Sequence, residues 1–151
     1  MQTIFQVLHR DHDVQRELLK NLSNTHGDSE TRRSLWEILK QELRSHDKFE
    51  ERYFYSALLF DDEVQKLSRH SISEHKKIED HIKKIEETEF SSPGWLVHLK
   101  NLKSLVEHHL DEEENEIFPV AGQVLERAEK NMLARKYKFE MEDSFAEQVR
   151  H

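Results

Sequence analysis

The sequence predicts an all-α fold, an up-down-up-down four-helix bundle with an additional C-terminal helix. Three observations carry that prediction. Apolar residues recur at alternating steps of three and four along most of the 151 residues, the mark of helices that each bury one stripe. Only 3 Gly and 2 Pro are present, too few to turn a many-stranded β protein. The breaks between stripes are short, and a chain of this length suits one domain rather than several.

The first stripe runs through Phe5, Leu8, His12, Gln15, Leu19 and Leu22, and the second through Leu35, Leu39, Leu43, His46, Glu50, Tyr53, Ala57 and Phe60. Between them, residues 23–28 carry Gly27, able to take a positive φ, with Asp28 or Ser29 able to cap the next helix. A tight corner at Phe60-Asp61-Asp62-Glu63 follows, where either Asp can cap the third helix. The third stripe is Val64, Leu67, Ser71, His75, Ile78, Ile82 and Ile85. Pro93 stops and restarts the chain, and the fourth stripe reads Trp95, Leu99, Leu102, Val106, His109, Glu113, Ile117 and Val120. A last break at Pro119 to Gly122 precedes an amphipathic tail helix over 124–149. The expected organisation is a bundle over 1–122 and a helical tail over 123–151 packed on the same domain. A long coiled-coil hairpin is the other arrangement, disfavoured by the Pro93-Gly94 break and the polar centres of the stripes.

Composition excludes several function classes. The net charge is −8, against the basic face of a nucleic-acid binder. With no Cys there are no disulfides, thiolate metal sites or cysteine nucleophile. No run approaches the ~20 apolar residues of a bilayer span, and Met1 to Asp13 lacks the apolar centre of a signal peptide. A cytoplasmic protein that binds neither membrane nor nucleic acid is expected. No Ser/His/Asp constellation or phosphate-binding glycine loop points to hydrolysis or nucleotide use.

What composition leaves over is 11 His in an acidic chain. Each stripe turns polar near its middle, and each interruption includes a histidine: His12, His46, His75 and His109. At ~1.5 Å per residue the legs around the corners at Asp61 and Gly94 nearly match, so antiparallel neighbours bring their imidazoles to one level. The leg from His12 fits less well, and the loop at 23–28 has to absorb the difference. His46 and Glu50, His75 and Glu79, and His109 and Glu113 are each spaced i, i+4, one turn apart on one helix face. The ordinary alternative is a surface pair contributing a few tenths of a kcal/mol. On apolar stripes, however, three carboxylates would be buried together at high cost. A pair of metal ions removes that cost, with Glu50 and Glu113 bridging and the imidazoles as terminal ligands. Nitrogen and oxygen donors without sulfur suit Fe, Mn or Zn. Tyr53 shares the face of His46 and is the candidate to donate to the bridge, core packing being the more common outcome. His108/Glu112 repeats the spacing on a less apolar face and is read as surface. So are His70 with Glu74, and His9, His26, His81, His98 and His151.

With these pieces assembled, the sequence resembles the hemerythrin-like family, the HHE cation-binding domains. The resemblance spans roughly His9 to Val120 and rests on His12, His46 to Glu51, Glu74 to Ile78, and His109 to Glu114 with Ile117-Phe118-Pro119. It implies a four-helix bundle holding two Fe ions joined by an oxo or hydroxo bridge and two carboxylates. Oxygen-carrying members read His-x-x-x-His on the third helix, where this chain reads His75-Lys-Lys-Ile-Glu79. With Glu79 as a ligand, anionic donors would favour the ferric state and turn the centre from reversible oxygen carriage toward redox work. The expected function is to bind or reduce dioxygen, peroxide or nitric oxide, or to sense redox state, with a separate electron donor if chemistry occurs. Iron storage, delivery or repair of iron centres is the second reading, and a metal-free partner-binding bundle the third.

Overall fold

The computed structural model describes residues 2–150, with side chains to residue 147; Met1 and the predicted surface His151 lie outside the described residues. Helices α1 (Ile4–Ser23), α2 (Glu30–Phe49), α3 (Asp62–Glu86) and α4 (Pro93–Glu112) pack as a ring in which α1 touches α2 and α4, and α3 touches α2 and α4. A short α5 (Phe118–Val124) and a long α6 (Arg127–Arg150) complete the chain, and no strand occurs among the described residues.

Each start is written in local chemistry. Thr3 accepts from the Gln6 amide while the Gln6 side chain returns to the Thr3 amide, a reciprocal cap. Ser29, not Asp28, caps α2, because Asp28 is held by the Arg33 guanidinium at 2.6 and 2.7 Å. Asp61 rather than Asp62 caps α3, accepting from the amides of Glu63 and Val64. Ser92 caps α4, with Pro93 in the first turn where its missing N–H costs nothing. Gly27, at φ 57, takes the left-handed turn between α1 and α2. Arg32 ties this loop down, giving hydrogen bonds to Thr25 and to the Phe90 carbonyl and lying 4.5 Å over the Trp95 ring.

The second and fourth stripes are not the uninterrupted helices their periodicity predicts. At Glu50–Tyr55 and Glu113–Ile117 the backbone widens into π-helix. One extra residue in a turn rotates everything after it by about 100°. Tyr53 is thereby turned toward α6, where its hydroxyl donates to Glu140 at 3.0 Å, and Phe54 and Tyr55 take the buried positions. Phe60 emerges 67% exposed, against the expectation that it closes the buried stripe.

Two apolar clusters flank the polar middle. One holds Leu19, Leu22, Trp36, Leu39, Ile82, Trp95 and Leu102; the other gathers Ile4, Leu8, Phe54, Leu58, Ile117, Phe118 and the α6 residues Leu133, Ala134, Tyr137 and Met141. Helix α6 therefore shares a core with the bundle and lies against α1 and α2. No described helix is long and apolar enough to cross a membrane.

Candidate metal centre

The side chains of His12 from α1, His46 from α2, His75 from α3 and His109 from α4 meet in the buried middle, each 4% exposed or less. Glu50 and Glu113, the first residues of the two π segments, are fully buried among them. Their ligand atoms fall into two groups, His12, His46, Glu50, Glu113 and Glu50, His75, His109, Glu113, each group lying within 4.8 Å. Both carboxylates belong to both groups. The His12 and His46 rings stand 5.2 Å apart and those of His75 and His109 4.8 Å apart. Thus the leg that fitted worst, from His12, still reaches its level, with residues 24–29 supplying the reach.

Glu79 is the exception and the correction. It lies at the half-buried flank of the bundle, its carboxylate held by the Arg44 guanidinium at 2.9–3.2 Å. Helix direction explains this. Because α3 runs antiparallel to α2 and α4, the step from His75 to Glu79 climbs away from the level that His46-to-Glu50 and His109-to-Glu113 descend to. The α3 residue at the level of the carboxylates is Ser71, one turn earlier, with Oγ 3.3 Å from Glu113. Tyr53 is likewise not at the centre. The tyrosine that is, Tyr55, donates to Glu113 and lies 2.6 Å from Ser71 Oγ.

A ring of carboxylates surrounds the imidazoles, and sequence reasoning missed it. His12 Nδ1 lies 2.7 Å from Glu114, His46 Nδ1 3.2 Å from Asp11, His75 Nδ1 2.8 Å from Glu51, and His109 Nδ1 2.9 Å from Glu74. Each helix lends its carboxylate to the histidine of the next: α1 to α2, the α2 extension to α3, α3 to α4, and the α4 extension back to α1. Tyr137 from α6 joins at His46, donating to Asp11 at 2.5 Å while its oxygen lies 2.6 Å from Nδ1. A carboxylate at Nδ1 fixes the proton there and leaves Nε2 as a lone pair facing inward. The signal for this ring was present as doublets, since Asp11-His12, Glu50-Glu51, Glu74-His75 and Glu113-Glu114 each pair an inner residue with an acid.

Whether these residues suit a metal can be tested on their bonding. His12 Nε2, His46 Nε2, both oxygens of Glu50 and Oε1 of Glu113 are buried without a hydrogen bond. His12 Nε2 lies 2.9 Å from Glu113 Oε1, but off the direction an N–H would need. His75 Nε2 and His109 Nε2 face each other at 3.1 Å, two lone pairs that require a proton or a cation between them. Unsatisfied buried atoms of this kind cost about 1–3 kcal/mol each. A cation ligated by them removes the cost, and the nitrogen and oxygen donor set fits a first-row divalent metal.

The electrostatics agree. Burial opposes a charged His12, yet the carboxylates of Glu113, Glu114 and Glu50 outweigh it and raise its pKa to about 10. His46, His75 and His109 are raised for the same reason. Burial pushes Glu50 up, but His46, His12 and His75 prevail and hold it well below the usual carboxylate range. Acids and imidazoles thus neutralise one another here through protons, the role a cation would take. Asp47, with Oδ1 3.4 Å from His75 Nε2, is the nearest further carboxylate, and burial raises its pKa.

Comparison with known proteins follows the same line. The sequence model described as hemerythrin HHE cation binding domain matches residues 3–121. No curated protein matches. Among solved structures, the crystal structure of a hemerythrin HHE cation binding domain-containing protein from Mycobacterium kansasii is similar, at 27% identity and a TM-score of 0.87. The match covers 99% of this chain and 91% of that one.

Proposed function

Because the chain belongs to the hemerythrin HHE cation-binding family, we propose that its two buried groups hold a pair of iron ions in one centre and that this centre binds and reduces a small oxidant, dioxygen, peroxide or nitric oxide. The observation that carries the reading is the sharing of Glu50 and Glu113 between both groups, which is what two carboxylates bridging neighbouring ions require. His12 and His46 would serve one ion, His75 and His109 the other. Iron bound there supplies redox capacity and a Lewis acid toward a small ligand.

The chain's own residues prepare that chemistry. Glu114, Asp11, Glu51 and Glu74 hold the four Nδ1 protons and aim each Nε2 inward, so little reorganisation is needed when a cation arrives. Tyr55 keeps its proton, since burial and Glu113 raise its pKa well above the ordinary value, and it fixes the Glu113 carboxylate by donating to it. On the His12 side Phe118 stacks at 5.8 Å and, with Phe54 and Leu8, excludes water. On the His75 side a groove between α2 and α3, lined by Asp47, Glu51, Ile72 and His75, gives a small molecule its approach. A centre with four imidazoles and an acid at its open side supports oxidant reduction over reversible carriage, with electrons from a separate donor.

Elemental analysis with the near-ultraviolet spectrum, before and after peroxide, tests the reading. About two iron atoms per chain and charge-transfer bands that bleach on peroxide are expected. Iron that leaves readily to a chelator while peroxide turnover stays at background would mean storage or delivery instead. No metal, and none taken up from ferrous iron without air, would leave a plain helical bundle.

A further inference from the structure

Outside the buried centre, α3 and α4 repeat its spacing on their solvent face. His70 and Glu74 are i, i+4 on α3, and His108 and Glu112 are i, i+4 on α4. His70, Glu74 and Glu112 each place a ligand atom within 4.8 Å of the others, and His108 approaches the two carboxylates from the rim. Glu112 reaches both imidazoles, Oε1 lying 2.8 Å from His70 Nε2 and Oε2 3.1 Å from His108 Nε2. Glu74 Oε2 lies 3.6 Å from His70 Nε2 and 3.9 Å from His108 Nε2, beyond hydrogen-bonding distance of either. Donors around a tetrahedral ion with bonds of ~2.0–2.1 Å stand about 3.3 Å apart, so these separations bracket what one ion requires.

Glu74 separates this cluster from an ordinary surface ion pair. It is 5% exposed, its Oε1 is committed to His109 Nδ1 at 2.9 Å, and its Oε2 is aimed outward between the two imidazoles. That oxygen faces two nitrogen donors without a hydrogen bond to either, while the histidines, with side chains 50% and 70% exposed, remain open to solvent in a cleft shared with Asp111, Asn115 and Glu116. We propose that His70, Glu74 and Glu112, with His108 as a fourth donor at the rim, form a separate site for one first-row divalent cation of the zinc, manganese or ferrous type. The two imidazoles set that class, since magnesium and calcium prefer oxygen donors throughout. Glu74 is shared between this site and His109, so a cation at the surface stands one carboxylate and one imidazole away from the buried centre, at a staging point for a metal entering or leaving.

The experiment is equilibrium dialysis of the protein as purified, with its resident metal, against Zn2+, followed by metal counting, for the parent and for His70→Ala, His108→Ala and Glu112→Gln. Both histidines are exposed enough for the fold to survive, which circular dichroism verifies, and Glu112→Gln serves as an independent removal of the shared carboxylate. The parent is expected to take up one Zn2+ more than each variant, or to bind its last equivalent at least about tenfold more tightly. Equal uptake with affinities within about twofold overturns the proposal, since losing even an outer ligand partner ordinarily costs more. The reading is a difference between chains identical at the buried groups, so it stands whatever those groups hold.

Discussion

Replacing Glu114 with Gln tests the carboxylate ring at one link. In the parent, Glu114 Oε2 lies 2.7 Å from His12 Nδ1 and Oε1 accepts from Arg16 at 2.9 Å. Gln keeps one acceptor oxygen but presents an NH2 where the other stood, so His12 and Arg16, both donors, compete for a single acceptor. Hydrogen bonds to a charged partner contribute about 1.5–3 kcal/mol and neutral ones about half as much, which gives a loss of about 1–2 kcal/mol. An independent route agrees. Partial burial opposes ionisation of Glu114, but His12 and Arg16 outweigh it and lower its pKa from 4.5 to about 2. For a fully buried group that displacement amounts to about 3 kcal/mol, and solvent screening of a partly exposed carboxylate reduces it to about 1–2 kcal/mol. The folded pKa is depressed, so this stability is complete above pH 4.5 and is lost as pH falls toward 2. Urea melts of both chains should therefore differ at pH 7 and converge by pH 2–3, and chelator competition should show metal bound about 10- to 100-fold more weakly by the variant. A stability difference equal at both pH values, with metal affinity unchanged, would refute the reasoning.

Other perturbations probe other parts. Burial, reinforced by Asp11, raises the Glu42 pKa from 4.5 to about 7; a raised acid stabilises the fold only while protonated, so the parent loses up to about 3 kcal/mol as pH rises from 4.5 past 7. Glu42→Gln should match the parent near pH 4 and exceed it in urea melts at pH 8. Tyr137→Phe removes the hydroxyl shared by Asp11 and His46 and should cost about 1–3 kcal/mol, with faster amide exchange along α6. Glu79→Gln should leave metal content unchanged and stability within about 1 kcal/mol, since it breaks only the flank pair with Arg44; a lost metal atom in its elemental analysis would return Glu79 to the ligand set.

The fold was legible because the two forces that specify it act at helical spacing. Leu19, Leu22, Leu39, Ile82 and Leu102 mark buried faces by periodicity alone, and Ser29 and Asp61 were each one of two neighbouring cap candidates between which the structure decides. The meeting of His12, His46, His75 and His109 was legible as four interruptions of otherwise apolar stripes. Glu79 misled because i, i+4 spacing states which face a residue occupies and not which way its helix runs. Tyr53 misled because a π turn at Glu50 leaves no mark in the hydrophobic pattern until it has already rotated Phe54 and Tyr55 inward. Asp11, Glu51, Glu74 and Glu114 were hidden for a further reason. An acid beside a ligand in sequence serves a histidine on a different helix, and only the packed bundle pairs them.

That circular order has a consequence for the register at which the helices come to rest. Apolar cores tolerate repacking, and one amphipathic helix can slide along another at comparable burial. The carboxylates do not share this tolerance. Each reaches one imidazole on the next helix at 2.7–3.2 Å, and a shift of one residue, ~1.5 Å along the axis, takes such a pair out of hydrogen-bonding range. A slip of one residue along any helix breaks two links together, the one it gives and the one it receives. The hydrophobic stripes determine that four helices associate, and the polar ring determines at what register they stop.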